Sequence, residues 1–117
     1  MALVLCTGVD PVLLETRRLI LQQAGHAVTT VMLTDERELT IACHKRLFDV
    51  VVVGQTIPAQ LKKVIVPLVH EHCPTAKILE LYQSYYGKIL QNADAWMEVP
   101  ADVPRDLVQR VNDLAKT

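Results

Sequence analysis

The chain has 117 residues, half of them hydrophobic and 21% charged, with a formal net charge of -1. That length suits one domain with a proper core, and the balance excludes a disordered chain. It also gives no electrostatic case for nucleic acid or an anionic membrane, and no apolar run approaches the roughly 20 residues of a membrane span.

In chain order, Met1-Ala2-Leu3-Val4-Leu5 has no basic region ahead of it, so no signal peptide is expected. Ala2 to Cys6 reads as a short apolar strand and Thr7-Gly8-Val9 as a turn. Asp10-Pro11 then opens a helix, with Asp as N-cap and Pro at the first helical position, where no hydrogen bond is lost. Leu13, Leu14, Arg17, Leu21 and Ala24 follow at helical spacing, and Gly25 ends the helix as a left-handed cap. His26 to Met32 is a second strand. Thr34 caps a second helix whose first turn carries Asp35 and Glu36, with Lys45 and Arg46 near its other end; both signs suit the dipole.

Phe48-Asp49-Val50-Val51-Val52-Val53-Gly54 is too apolar for a strand with one wet face. Uninterrupted β-branched residues suit a strand covered on both sides, as in a parallel sheet between helix layers. A third helix is expected from about Leu61 to His72, kinked or delayed by Pro67 and ended by Cys73-Pro74. Lys77 to Tyr82 is a fourth strand. Gln83 to Asn92 has room for only two or three helical turns. Ala95 to Val99 is a fifth strand, closed by Pro100. Pro104 opens a last helix with Leu107, Val108, Val111 and Leu114 on one stripe. Five β-α repeats predict a parallel sheet with helices on both faces and right-handed crossovers.

These segments carry a resemblance. Asp10-Pro11-Val12-Leu13-Leu14 runs to Ala24-Gly25-His26-Ala27-Val28. Phe48-Asp49-Val50-Val51-Val52-Val53 precedes Pro58, and Asn92-Ala93-Asp94-Ala95-Trp96 and Ala101-Asp102-Val103-Pro104 follow. In order and spacing they resemble the receiver domain of two-component response regulators, over essentially the whole chain. The resemblance implies a single flavodoxin-like (βα)5 domain with strand order 2-1-3-4-5, here with a shortened fourth helix.

The departures concern the chemistry. Receivers hold magnesium with an acidic pair after the first strand and accept phosphate on an Asp ending the third. A Thr or Ser ending the fourth strand and a Lys ending the fifth contact the phosphoryl group. Carboxylates suit a hard cation and serve as the nucleophile. At the matching positions this chain has Gly8 and Val9, Gly54, Tyr82 and Val99. Asp10 survives but fits an N-cap better than a metal site. The resemblance therefore implies a pseudo-receiver that cannot be phosphorylated in the usual way.

Other features divide between function and packing. Glu80 lies mid-strand, where a lone buried carboxylate is costly; it is either a pH-responsive or ligand-contacting group, or is simply solvated or salt-bridged. Four of the five aromatic residues, Tyr82, Tyr85, Tyr86 and Trp96, lie in one segment. They suit either an interface, including self-association, or packing beside the short helix. His70 and His72 are two apart on a helix and point away from each other, and His26 and His44 are isolated, so no metal is expected. Cys6, Cys43 and Cys73 are an odd number without CxxC spacing, expected as reduced, partly buried thiols of a cytoplasmic protein. No nucleophile motif is present, so neither catalysis nor a cofactor is expected. The favoured reading is a signalling domain acting by contact with a protein partner, a sensor kinase or output protein, or with itself. With the last helix ending just before Thr117, no attached output domain is expected. The alternative is a flavodoxin-like domain binding a small anion or nucleotide through Thr7, Gly8, Gln55 and Tyr82.

Overall fold

In chain order the elements are β1 (Leu3–Gly8), α1 (Pro11–Gln23), β2 (Ala27–Met32), α2 (Glu36–Lys45), β3 (Val50–Val53), α3 (Ala59–His72), β4 (Lys77–Gln83), β5 (Ala95–Val99) and α4 (Pro104–Ala115). The structure is a computed structural model, and its described residues are 1–34, 36–99 and 104–116. The expectations placed on Asp35, Pro100, Ala101, Asp102, Val103 and Thr117 lie outside them. All five strands are parallel in the order β2-β1-β3-β4-β5, which is the flavodoxin-like order.

The valine run explains why the sheet is covered twice. All four residues of β3 are buried, and strand alternation sends successive side chains to opposite faces. Val51 and Val53 join Leu39 of α2 and Ile65 and Val69 of α3. Val50 and Val52 join Leu14 and Leu21 of α1 and Leu107, Val111 and Leu114 of α4. A strand with two apolar faces therefore sits between two helix layers.

Local signals act as expected at the first helix. Asp10 Oδ1 accepts from the amides of Val12 (2.9 Å) and Leu13 (3.3 Å), and Pro11 sits in the first turn. Gly25 ends the segment at a positive φ of 93°. At the amino-terminal rim, Asp49 Oδ2 accepts from Leu3 N (2.8 Å) and Asp94 Oδ2 from Ile78 N (2.7 Å), closing the edges of adjacent strands.

Five expectations need correction. β1 continues through Thr7 and Gly8, because both pair in register with β2 and leave the turn only Val9. α3 begins at Ala59 and runs through Pro67, which faces solvent, so the carbonyl it frees can bond to water. Between β4 and β5 the short helix is replaced by a turn, closed by Tyr86 N and Gly87 N on Gln83 O and by Gly87 at φ 74°. Cys43 and Cys73 are not free thiols but a disulfide, their Cα atoms 5.5 Å apart, which joins α2 to the end of α3. Only the packing of those two helices brings the pair together; Cys6 remains a free, buried thiol. Nor are two of the histidines isolated: His44 Nε2 lies 2.8 Å from His72 Nδ1, and His26 bonds both Ala2 N and Asn112. No helix among the described residues is long and apolar enough to cross a membrane.

Candidate functional site

The carboxyl ends of β1, β3, β4 and β5 share one rim, where ligands of open parallel sheets usually sit. Gly54 leaves β3 there, its amide donating to Thr7 O at 3.0 Å. A Cβ on Gly54 would lie 2.9 Å from that same backbone oxygen and 3.2 Å from Arg17 Nη1. Gly54 is thus closed in by backbone on one side and a guanidinium on the other.

Arg17 arrives from the buried stripe of α1, between Leu14 and Leu21. It is 8% exposed, and its Nη2 donates to Gln55 Oε1, an amide rather than a carboxylate. Burial presses the guanidinium below its ordinary range, opposed by attraction to Cys6 and Asp10. Burial also pushes the Cys6 thiol up to about 12, so it is neutral at neutral pH and Asp10 is the effective counter-charge. A guanidinium stays charged even so.

Gly8, Val9 and Val99 are set among apolar neighbours. A Cβ on Gly8 would meet Leu14 Cδ2 at 3.3 Å, an apolar neighbour. Val9 packs against the α2–α3 core, and Val99 is buried with Met97 and Leu107 on the other face. The Thr7 hydroxyl is buried and donates to Val52 O at 2.8 Å, so it offers no donor to a ligand. Gln55 and Tyr82 line one groove of about 360 Å³ with Pro58 and Tyr86, whereas Thr7 and Gly8 do not line it.

Glu80 is fully buried, on the α3 side of the sheet. Its Oε2 accepts from Lys62 Nζ at 2.9 Å, and Lys62, 2% exposed, also donates to Leu81 O at 3.1 Å. The amides of Ile89 and Leu90 donate to the same carboxylate at 3.0 to 3.1 Å. Glu80 is thus salt-bridged rather than solvated, and it pins the segment that replaces a helix onto the sheet. Both carboxylate oxygens, stripped of water by burial, find donors, which is what a buried ion pair needs. Sequence reading singles out Glu80 but misses Lys62; the available signal was a lysine in the same buried stripe as Ile65, Val66 and Val69.

The aromatic segment divides in two. Trp96 is half-buried, its Nε1 donating to Leu90 O at 2.9 Å, with Lys88 Nζ 4.9 Å above the ring. Tyr82 is likewise half-buried, Lys88 standing 5.8 Å from its ring. Tyr85 and Tyr86, by contrast, are 90% and 72% exposed and touch each other edge to face. Among the described residues, no group of three or more His, Cys, Asp or Glu is placed to hold a metal.

No protein-family model matches this sequence, and no curated protein matches it either. Solved structures do match, and they define the class: the chain has the CheY-like fold of response regulator receiver domains. A receiver domain protein from Methanospirillum hungatei superposes with a TM-score of 0.83 at 19% identity, over 99% of this chain and 94% of that one. The Vibrio cholerae chemotaxis protein CheY4 gives 0.80 at 23% identity, over 97% and 98%. The Thermotoga maritima response regulator TrrA, solved with magnesium and beryllofluoride, gives 0.79 at 20% identity, over 97% and 99%.

Proposed function

We propose that this chain is a receiver-like signalling domain that acts through protein contact and not through phosphoryl transfer. One observation carries the reading: at Gly54 there is no carboxylate, no space for one, and a guanidinium beside it. Phosphoryl transfer to a receiver needs an acceptor carboxylate and a held cation. Here Asp10, at the start of α1, has its carboxylate turned to the first amides of that helix.

The contact surface on this reading is the exposed Tyr85–Tyr86 pair, with a sensor kinase, an output protein or a second copy as partner. Tyrosine anchors interfaces with little entropy to lose. The pair stands on a turn that Glu80 and Gly87 hold in place, so the surface is presented without a helix beneath it. The reading places the chain in the cytoplasm, where the Cys43–Cys73 disulfide meets a reducing pool. No catalysis is assigned.

The test is incubation with acetyl phosphate and magnesium, followed by intact mass spectrometry, with TrrA as the control. The expected result is no added phosphoryl group on this chain; a stoichiometric phosphoryl adduct defeats the reading.

A further inference from the structure

We propose that the cavity between α1 and α4 is a binding site for a small organic anion with an apolar body, anchored by Arg17. The site shares Arg17 with the corner at Gly54 but does not include the Tyr85–Tyr86 surface, since Tyr86 lines a different groove.

No carboxylate among the described residues bonds this buried cation. Among the described residues, the acceptor that Arg17 bonds is the amide oxygen of Gln55. A guanidinium carries five N–H donors in a planar fork that matches a carboxylate bidentately. Asp10 attracts it from a distance, but the Asp10 carboxylate is already capping α1. Natural cores seldom bury an arginine with so little opposite charge at bonding distance.

The cavity supplies the rest of the site. It measures about 260 Å³ and places Arg17 and Gln55 among Leu13, Ile20, Met97 and Leu107. A charged anchor among apolar walls is the usual make-up of a small-molecule pocket. Just below the roughly 300–1,000 Å³ of pockets for drug-sized molecules, the cavity suits a ligand the size of benzoate or hexanoate. Val99 and Leu107 extend the apolar wall, so a bare anion would leave most of it wet.

The experiment uses the intact chain and five probes: benzoate, hexanoate, benzyl alcohol, hexanol and inorganic phosphate. Binding is read by amide-correlation NMR titration and by thermal shift. Benzoate and hexanoate are expected to saturate, moving amides of α1 and α4. The alcohols, which lose only the charge-assisted hydrogen bonds, should bind roughly ten- to a hundredfold more weakly, and phosphate should not saturate. Arg17→Met is expected to remove the preference for the acids over the alcohols. If that variant does not fold, Ile20→Trp, which fills the cavity from a half-buried position and keeps the guanidinium, is expected to abolish binding of all four organic probes. The proposal is overturned by failure of both acids to saturate, by equal affinity for acids and alcohols, by saturation with phosphate, or by unchanged benzoate binding in Ile20→Trp.

Discussion

Arg17 and Lys62 make an instructive pair. Both are cations in the buried stripe of a helix, both reach the carboxyl-terminal rim, and they lie on opposite faces of one sheet. Lys62 ends on a carboxylate, Glu80, whose oxygens also hold two backbone amides. Arg17 ends on an amide and opens onto a cavity. The first corner is closed and supports the fold; the second is charged and partly unmet. Burial alone therefore does not say whether an ionic side chain serves structure or a ligand; its partners do.

The sharpest way to break that contrast is to remove each cation in turn. Lys62→Met leaves Glu80 buried with its charge unpaired, and should cost about 3–5 kcal/mol in urea denaturation. Arg17→Met removes one hydrogen bond and relieves a buried charge, so it should change stability by about 1 kcal/mol or less. Equal losses would end the distinction between the two corners.

Reduction of the Cys43–Cys73 disulfide comes next. It closes a loop with a sequence separation of 30, worth about 3.5 kcal/mol on a chain-entropy estimate. Since α3 carries Lys62, hydrogen exchange after reduction should quicken in α2 and α3 and stay unchanged in α1. Faster exchange in α1 would mean that the two faces are not separable. Gly54→Asp should have a smaller effect on stability. The new Cβ must displace Thr7 O, with Arg17 giving way slightly, an overpacking cost of about 1–3 kcal/mol. It should not confer phosphorylation, because Gly8 and Val9 still provide no cation site; a phosphoryl adduct on this variant would show that the acceptor alone was missing.

The framework was largely readable from the residues. The valine run, the Asp10-Pro11 cap, Gly25 and the apolar stripe of the last helix are local signals, and the structure uses each of them. The site was only partly readable, because its partners are remote in sequence. Arg17 meets Gln55 across 38 positions and Lys62 meets Glu80 across 18. The cysteine pair and the His44–His72 contact depend on how α2 packs on α3, which periodicity does not encode. The segment after β4 looked like a short helix because length and composition allow one. Glu80 removes it by taking the Ile89 and Leu90 amides for itself.

The claim at the centre is that the rim no longer houses a metal-assisted phosphorylation site. Amide-correlation NMR spectra recorded with and without magnesium and beryllofluoride test it most directly. The account predicts no saturable change at Gly8, Gly54 or Gln55; saturable shifts at those amides, as in a working receiver, would contradict it.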